Sequence, residues 1–491
     1  MSNFTFIDGS IVGVYILAVV IIGVMVRRYV SKVDQFLVAG RELNIYLGIA
    51  SLTACEFGIV TCMYTAQNGY DKGFAGATPG ILFAVAMLIV GITGFGINPL
   101  RKAGVMTIPE LFENKFGPRV RWMSGVVIVL GGLLNMGVFL RLGGDFLVEV
   151  CGLNPDHLEI TMTLLLVGIG LYTIMGGMVS VLITDYLQFI MMSIGLLVVT
   201  IMIFVQVGWA DMVNAVQVNY GDGGFNPFVH PDMGVAYVVF NAFVALSVVL
   251  TWQTIIQRVL SAKNSATGRK IYKGTSPFFV CRFLLPGIWG IAALAMLTPD
   301  QVGDNTMLAM PKFLGGFVPP IVMGIVVAAM LAADMSTDAS YMLTWGSVIY
   351  NDIMAPLHKG KWSQKKGLMW NRFIIAMIGV FLLVYGLWYE IKGDAWTYLA
   401  VTGSIYLSSM SVLLIACCYW KKANNWGAAT AIIIGAVMPV SFLVLQKVPA
   451  TEQFTERIGP YIWGIVTYVS VAIAMVAGSL LKPRTVEERG N

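Results

Sequence analysis

Ser51-Leu52-Thr53-Ala54-Cys55-Glu56-Phe57-Gly58 sets a threonine, a carboxylate and a glycine in the middle of an otherwise apolar run, residues 44–68. About 20 apolar residues make a helix long enough to cross roughly 30 Å of hydrocarbon. Thr53 and Gly58 weaken a helix at that depth, and Glu56 adds a charge. Helical backbone broken in mid-membrane is tolerated only where it lines a cavity or is buried in protein. The segment therefore predicts a membrane helix interrupted against a protein-lined space.

Outward from this stretch the whole chain reads the same way. Of its 491 residues 57% are hydrophobic and 12% charged, with a mean hydropathy of +0.79; a soluble chain carries about twice that charge. The apolar residues gather into thirteen candidate spans: 9–27, 44–68, 76–99, 122–150, 158–176, 181–208, 235–257, 274–297, 317–350, 371–391, 395–419, 426–446 and 458–481. Alternating ten-residue strands are absent, which argues against a β-barrel. The expected fold class is an all-α polytopic membrane protein of about 13 transmembrane helices. No soluble domain stands apart, and the longest loop, 209–234, is polar and glycine-rich.

Charge placement predicts orientation. Basic residues in alternate loops, beginning with Arg27, Arg28, Lys32 and Arg41 and ending with Lys482, Arg484 and Arg489, account for 24 of the 31. The opposite loops hold five (Lys72, Lys312, Lys392, Lys447 and Arg457), and Arg141 and Arg282 fall within spans. Cytoplasmic loops carry the Lys/Arg excess, so the N-terminus is expected outside and the C-terminus in the cytoplasm of a bacterial-type inner membrane. Met1–Ser10 lacks a basic n-region and a small-residue cleavage site, and reads as a mature end. The six cysteines have no metal-ligand spacing and mostly sit in apolar segments. His157, His230 and His358 fall in loops, which leaves no His-based catalytic or metal cluster.

A second polar stretch, Ala332-Ala333-Asp334-Met335-Ser336-Thr337-Asp338-Ala339-Ser340, interrupts the long apolar span 317–350. At 100° per residue, Ser336, Thr337 and Ser340 fall within about 100° of each other, with Asp334 and Asp338 as an i, i+4 pair on another side. A sodium ion within a bilayer needs five or so oxygens of little formal charge, which carbonyls of a broken helix and hydroxyls of a neighbour can provide. The alternative is that Ser and Thr merely bond back to helix carbonyls.

Three segments then show a resemblance. Asp34-Gln35-Phe36-Leu37-Val38-Ala39-Gly40-Arg41 resembles the D-x-F-x-x-G-G-R entry of the sodium:solute symporter family. Tyr172-Thr173-Ile174-Met175-Gly176-Gly177, followed by Thr184-Asp185-Tyr186-Leu187-Gln188, resembles its Y-T-x-x-G-G…T-D-x-x-Q segment, and Gln253-Thr254-Ile255-Ile256-Gln257-Arg258 is similar to its Q-x-x-x-Q-R. Trp252-Gln253 and Arg258-Val259-Leu260-Ser261 look nearest to the choline-transporter branch. The resemblance implies a LeuT-type core of five helices repeated in inverted topology: one extra helix (9–27), a first repeat (44–208), a second (235–419) and two C-terminal helices (426–481). In that fold, substrate and ions sit near the midplane where the first helix of each repeat is unwound.

By resemblance, the main sodium site maps onto carbonyls of Ala54, Phe57 and Ala333 and hydroxyls of Ser336 and Thr337. A second sodium would use Asp185 and Ser340, although Ala339 stands where members with that site place another hydroxyl. Glu56 costs about 2.5–3.5 kcal/mol at mid-membrane even on a lenient scale. It either meets substrate or sodium, or pairs with an intramembrane cation such as Arg141 or Arg282. Asn135 aligns with a substrate-side position where an acid-binding member has arginine, and Trp252 offers a π face for an alkylammonium group or a sugar ring, with Gln253 beside it. Arg141 and Arg282 receive no functional role; the alternatives for them are snorkelling or a pair with Asp145 or Glu149.

These residues lead to an expected sodium-driven importer of a small neutral, zwitterionic or cationic solute, an amino acid or choline-like amine, working by alternating access. A sugar or polyol substrate is the alternative, and an uncoupled channel or a symporter-like sensor the alternative of another class. Sodium, the solute and the bilayer are the expected partners, with no nucleic acid, no enzymatic activity and a monomer as the working unit.

Overall fold

The computed structural model describes residues 2–26, 31–358, 362–391 and 393–482. Arg27, Arg28, Lys359, Lys361, Lys392, Arg484 and Arg489 of the charge count lie outside the described residues. The architecture is all-helical, with one backbone bridge between Leu43 and Ala262. The principal helices are α1 (Phe6–Val26), α2 (Ile45–Cys55), α3 (Ile59–Lys72), α4 (Thr78–Thr93), α5 (Pro118–Met136), α6 (Phe139–Cys151), α7 (Leu158–Gln206) and α8 (Gly234–Thr251). They continue with α9 (Gln253–Ser261), α10 (Ser265–Met296), α11 (Val322–Val348), α12 (Gln364–Trp388), α13 (Ala395–Tyr419), α14 (Asn425–Leu445) and α15 (Pro449–Leu481).

Among the described residues, eleven helical stretches are long and apolar enough to cross a membrane. The expected thirteen would require two of these stretches, Ile59–Thr93 and Pro155–Gln206, to be divided. Gly177 divides the latter: at φ 53°, ψ −149° it takes a conformation that Cβ-bearing residues avoid, and the chain turns there inside α7. Three spans differ in outline from their sequence reading. The span 122–150 is two helices, α5 and α6, parted at Gly137-Val138. The span 317–350 starts only at Val322, because Pro319-Pro320 separates it from a helix at Ala309–Phe317. The loop 209–234 contains a helix, Trp209–Tyr220.

Two groups of helices carry the site. In one, α3 and α4 pack on α10, α2 packs on α10, and α8 packs on α4. In the other, α7 packs on α11 and α12, and α5 and α6 pack on α11. Small residues bring α3 and α10 into backbone contact: a Cβ on Gly290 would lie 1.9 Å from the Ala66 carbonyl, and one on Gly69 would lie 2.1 Å from that of Gly287. Such close approach is how membrane helices gain packing where lipid offers no hydrophobic drive. Almost all of α11 is buried. Its polar stretch therefore meets protein on every side.

Candidate functional site

The backbone at Glu56-Phe57-Gly58 is broken. α2 ends at Cys55, Glu56 is at φ −99°, ψ 6°, and Gly58 is extended at φ −94°, ψ 175° before α3 resumes. A second break lies where α8 and α9 meet at Trp252, which is extended at φ −63°, ψ 114°.

Against the first break lies the hydroxyl face of α11. Ser336 Oγ is 2.9 Å from the Ala54 carbonyl and 2.8 Å from that of Ala333, with one proton to give to either. Thr337 Oγ1 is buried with no hydrogen-bond partner. It faces Gly58, where an added Cβ would come within 3.0 Å of it. Phe57 is the middle residue of the break, its ring against Phe278 at a centroid distance of 5.8 Å. Ala54, Ala333, Ser336 and Thr337 thus gather around one interruption. Their carbonyl and hydroxyl oxygens are uncharged donors of the kind a small monovalent cation takes in low dielectric. Among the described residues, no three His, Cys, Asp or Glu side chains gather as metal ligands. Asp334 lies between Gly143 and the backbone of Ile59 at the start of α3, on another side of α11 from the hydroxyls.

Asp185 and Ser340 also come together, but across a guanidinium. Arg258 Nη2 donates to Asp185 Oδ2 at 3.1 Å and to Ser340 Oγ at 2.6 Å. Its Nε donates to Ser51 Oγ at 3.1 Å, and Ser51 donates to Asp185 Oδ2 at 2.5 Å. All four side chains are fully buried. A fixed cation of the protein therefore occupies the space between the two residues assigned to a second sodium.

Glu56, Asn135, Trp252 and Thr337 line one cavity of about 560 Å³ of empty space, counted out to its opening. Gln253 is buried but is not part of this wall, and its amide has no partner. Asn135 Nδ2 donates to the Leu399 carbonyl at 2.9 Å and to Thr402 Oγ1 at 3.2 Å. Trp252 Nε1 donates to Tyr341 Oη at 3.0 Å, and the indole stacks on Tyr406 at 5.5 Å. The cavity also holds Arg282, one of the two arginines the sequence offered as a partner for Glu56. Its Nη1 lies 3.4 Å from Glu56 Oε2. A mid-span arginine was a signal in itself; which neighbour it met was not legible. Arg141 instead pairs with Asp145 at 3.3 Å and Glu390 at 3.6 Å.

Polar contacts outside the cavity wall tie α3 to the start of α13. Lys72 Nζ meets Asp394 Oδ2 at 2.6 Å and Asn68 Oδ1 at 2.7 Å. Gln67 Nε2 donates to the Gly393 carbonyl at 3.1 Å. Burial pushes the Asp394 carboxyl up, but the Lys72 ammonium and the bonds from Thr397 outweigh it and hold the carboxyl below its ordinary value.

The chain resembles known sodium-coupled transporters along most of its length. The chain is 25% identical to sodium/glucose cotransporter 4 of Danio rerio over 96% of this chain and 77% of that one. It is 23% identical to high-affinity choline transporter 1 of Drosophila melanogaster over 89% and 73%. The two likenesses are of similar strength, so the choline branch is not singled out. In fold it matches a Na⁺-coupled sialic acid symporter in a substrate-bound outward-open state, with a TM-score of 0.81 at 18% identity over 99% of this chain and 100% of that one. The family model described as sodium:solute symporter family matches residues 36–435. With a LeuT-type fold, sodium as the coupling ion and transport rather than enzymatic chemistry as its trade, the chain belongs to the sodium:solute symporter family.

Proposed function

We propose that this sodium-coupled symporter imports a small organic solute through the cavity beside Glu56, coupled to one sodium ion at Ala54, Phe57, Ala333, Ser336 and Thr337. The observation that carries the reading is Thr337. Its hydroxyl lacks a partner beside the broken helix, and the same side chain forms part of the cavity wall. A sodium ion there ties α2 and α3 to α11 and orders the solute wall at the same moment. Parting those helices towards the cytoplasm releases both.

One charge carried through 100 mV gains about 2.3 kcal/mol, enough for roughly 50-fold accumulation before the chemical gradient is added. One ion is therefore sufficient. Arg258 between Asp185 and Ser340 supports a structural role for that pair and a stoichiometry of one. The basic loops support an N-terminus outside and a C-terminus in the cytoplasm of an inner membrane. The protein works as a monomer in this reading.

A neutral, zwitterionic or cationic solute suits the carboxylate of Glu56. A sugar or polyol is the second reading, favoured by the likeness to a glucose cotransporter. Flux into proteoliposomes with and without an inward sodium gradient tests the function. Uphill uptake should require the gradient. Equal downhill flux in its absence would make the protein an uncoupled channel, and sodium-dependent binding without flux would make it a sensor.

A further inference from the structure

Arg282 and Glu56 form an ion pair that is both buried and loosely made. Glu56 is 2% exposed and Arg282 9%. The 3.4 Å between Arg282 Nη1 and Glu56 Oε2 is well beyond the roughly 2.7–2.9 Å of a tight charge-assisted bond. The rest of each group is held in place. Thr254 Oγ1 donates to Glu56 Oε1 at 2.5 Å. Arg282 Nη2 donates to Tyr64 Oη at 2.8 Å, and the guanidinium lies over the Phe279 ring at 5.4 Å. Arg282 Nε is buried without a partner. The two charges are thus oriented by other residues and stand side by side in a cavity wall.

We propose that the solute is a small zwitterion, an amino acid with an apolar side chain, whose carboxylate binds Arg282 and whose ammonium binds Glu56. This deepens the symport reading above and rests on it. The pair is neutral as a unit, so a ligand with one charge of each sign satisfies both groups and leaves neither stranded. A choline-like cation drawn to Glu56 would sit beside the like charge of Arg282, and a simple carboxylate drawn to Arg282 would sit beside Glu56. Each separates a buried pair without replacing both partners, which is strongly unfavourable. A sugar needs many free hydrogen-bonding groups. The amide of Asn135 and the indole N–H of Trp252 already donate within the protein. Apart from the hydroxyls of Thr61, Tyr64, Thr337 and Tyr341, the remaining wall includes Phe139, Val244, Val248, Trp396 and Leu407, which suits an apolar side chain.

The test uses the purified full-length chain and thermal shifts in NaCl against KCl. The probes are apolar L-amino acids, D-glucose, myo-inositol, choline and short monocarboxylates. Amino acids alone should stabilise, and only in NaCl. The methyl ester and the N-acetyl derivative of the best amino acid should each bind about tenfold or more weakly, because each removes one charged contact. Arg282→Lys keeps the charge but loses the planar fork, and should weaken the amino acid while leaving the stabilisation by sodium alone unchanged. Equal or stronger stabilisation by glucose, inositol, choline or a monocarboxylate overturns the proposal, as does an ester that binds as well as its parent. Amino acids that bind equally in KCl would leave the zwitterion site standing and remove the sodium coupling instead.

Discussion

Thr337 and Arg258 show how much single buried side chains decide here. Thr337 has an unpartnered hydroxyl facing the gap at Gly58, so Thr337→Ala removes one sodium oxygen and little else. The apparent sodium affinity is expected to fall about tenfold or more, as for loss of one strong polar contact, with the sodium-free melting temperature nearly unchanged. A sodium titration of uptake checks this, and an unaltered titration would falsify the site. Arg258 is the opposite case. It donates to Asp185 Oδ2, Ser51 and Ser340 together, and Arg258→Met leaves the buried Asp185 carboxylate without its cation and with only the Ser51 hydroxyl. A loss of about 3–5 kcal/mol is expected, read as a lower melting temperature and partly restored by adding Asp185→Asn. The sodium-to-solute ratio of the Asp185→Asn chain should stay at one. Both side chains were named from sequence, Thr337 as a ligand and Arg258 as part of a motif. That Arg258 would fill the place assigned to an ion was not visible, because Asp185, Ser340 and Arg258 lie on three helices.

At the scale of elements, the interruptions set the function and the close contacts hold them. The Glu56–Gly58 break was legible because charge, threonine and glycine coincide within an apolar run. The α8–α9 break at Trp252 followed only from the implied inverted repeat, since Leu250-Thr251-Trp252-Gln253 contains neither glycine nor proline. The contact of α3 with α10 depends on Gly290, which lies against the Ala66 backbone. Gly290→Ala would force the two helices apart, and overpacking of this kind costs about 1–3 kcal/mol. It should lower the melting temperature and, by shifting α3, the sodium affinity as well. Gly168→Ala is the control, because nothing lies within 4 Å of a Cβ added there. Equal melting temperatures for the two variants would refute the close-contact account.

Across the whole molecule, the two helix groups meet around the cavity, and Lys72 and Asp394 tie α3 to the start of α13. Lys72 is 5% exposed, so Asp394→Asn strips a buried ammonium of its charged partner. A destabilisation of about 1–3 kcal/mol is expected, measurable as a lower melting temperature at pH 7. The sign of the pH effect follows from the depressed carboxyl. Its contribution is complete above the ordinary carboxylate value and is lost as the pH falls through the lowered one, below about 4. Melting curves of wild type and Asp394→Asn should therefore converge in acid. A constant difference down to pH 3 would place the stabilisation elsewhere.

What the sequence determined by itself was the solvent, the class of fold and the helix break at Glu56–Gly58. Hydropathy, span length and the polar interruptions are local quantities, and the bilayer penalises every alternative to a helix. Glu56 was legible as a problem needing a partner, but Arg141 and Arg282 were equal candidates along the chain. Only the tertiary structure decided that Arg282 and not Arg141 stands beside it, that Gln253 stays out of the cavity, and that a guanidinium joins Asp185 to Ser340. These outcomes depend on how helices distant in sequence rotate against each other. A buried charge is answered by whichever opposite charge the packing brings near.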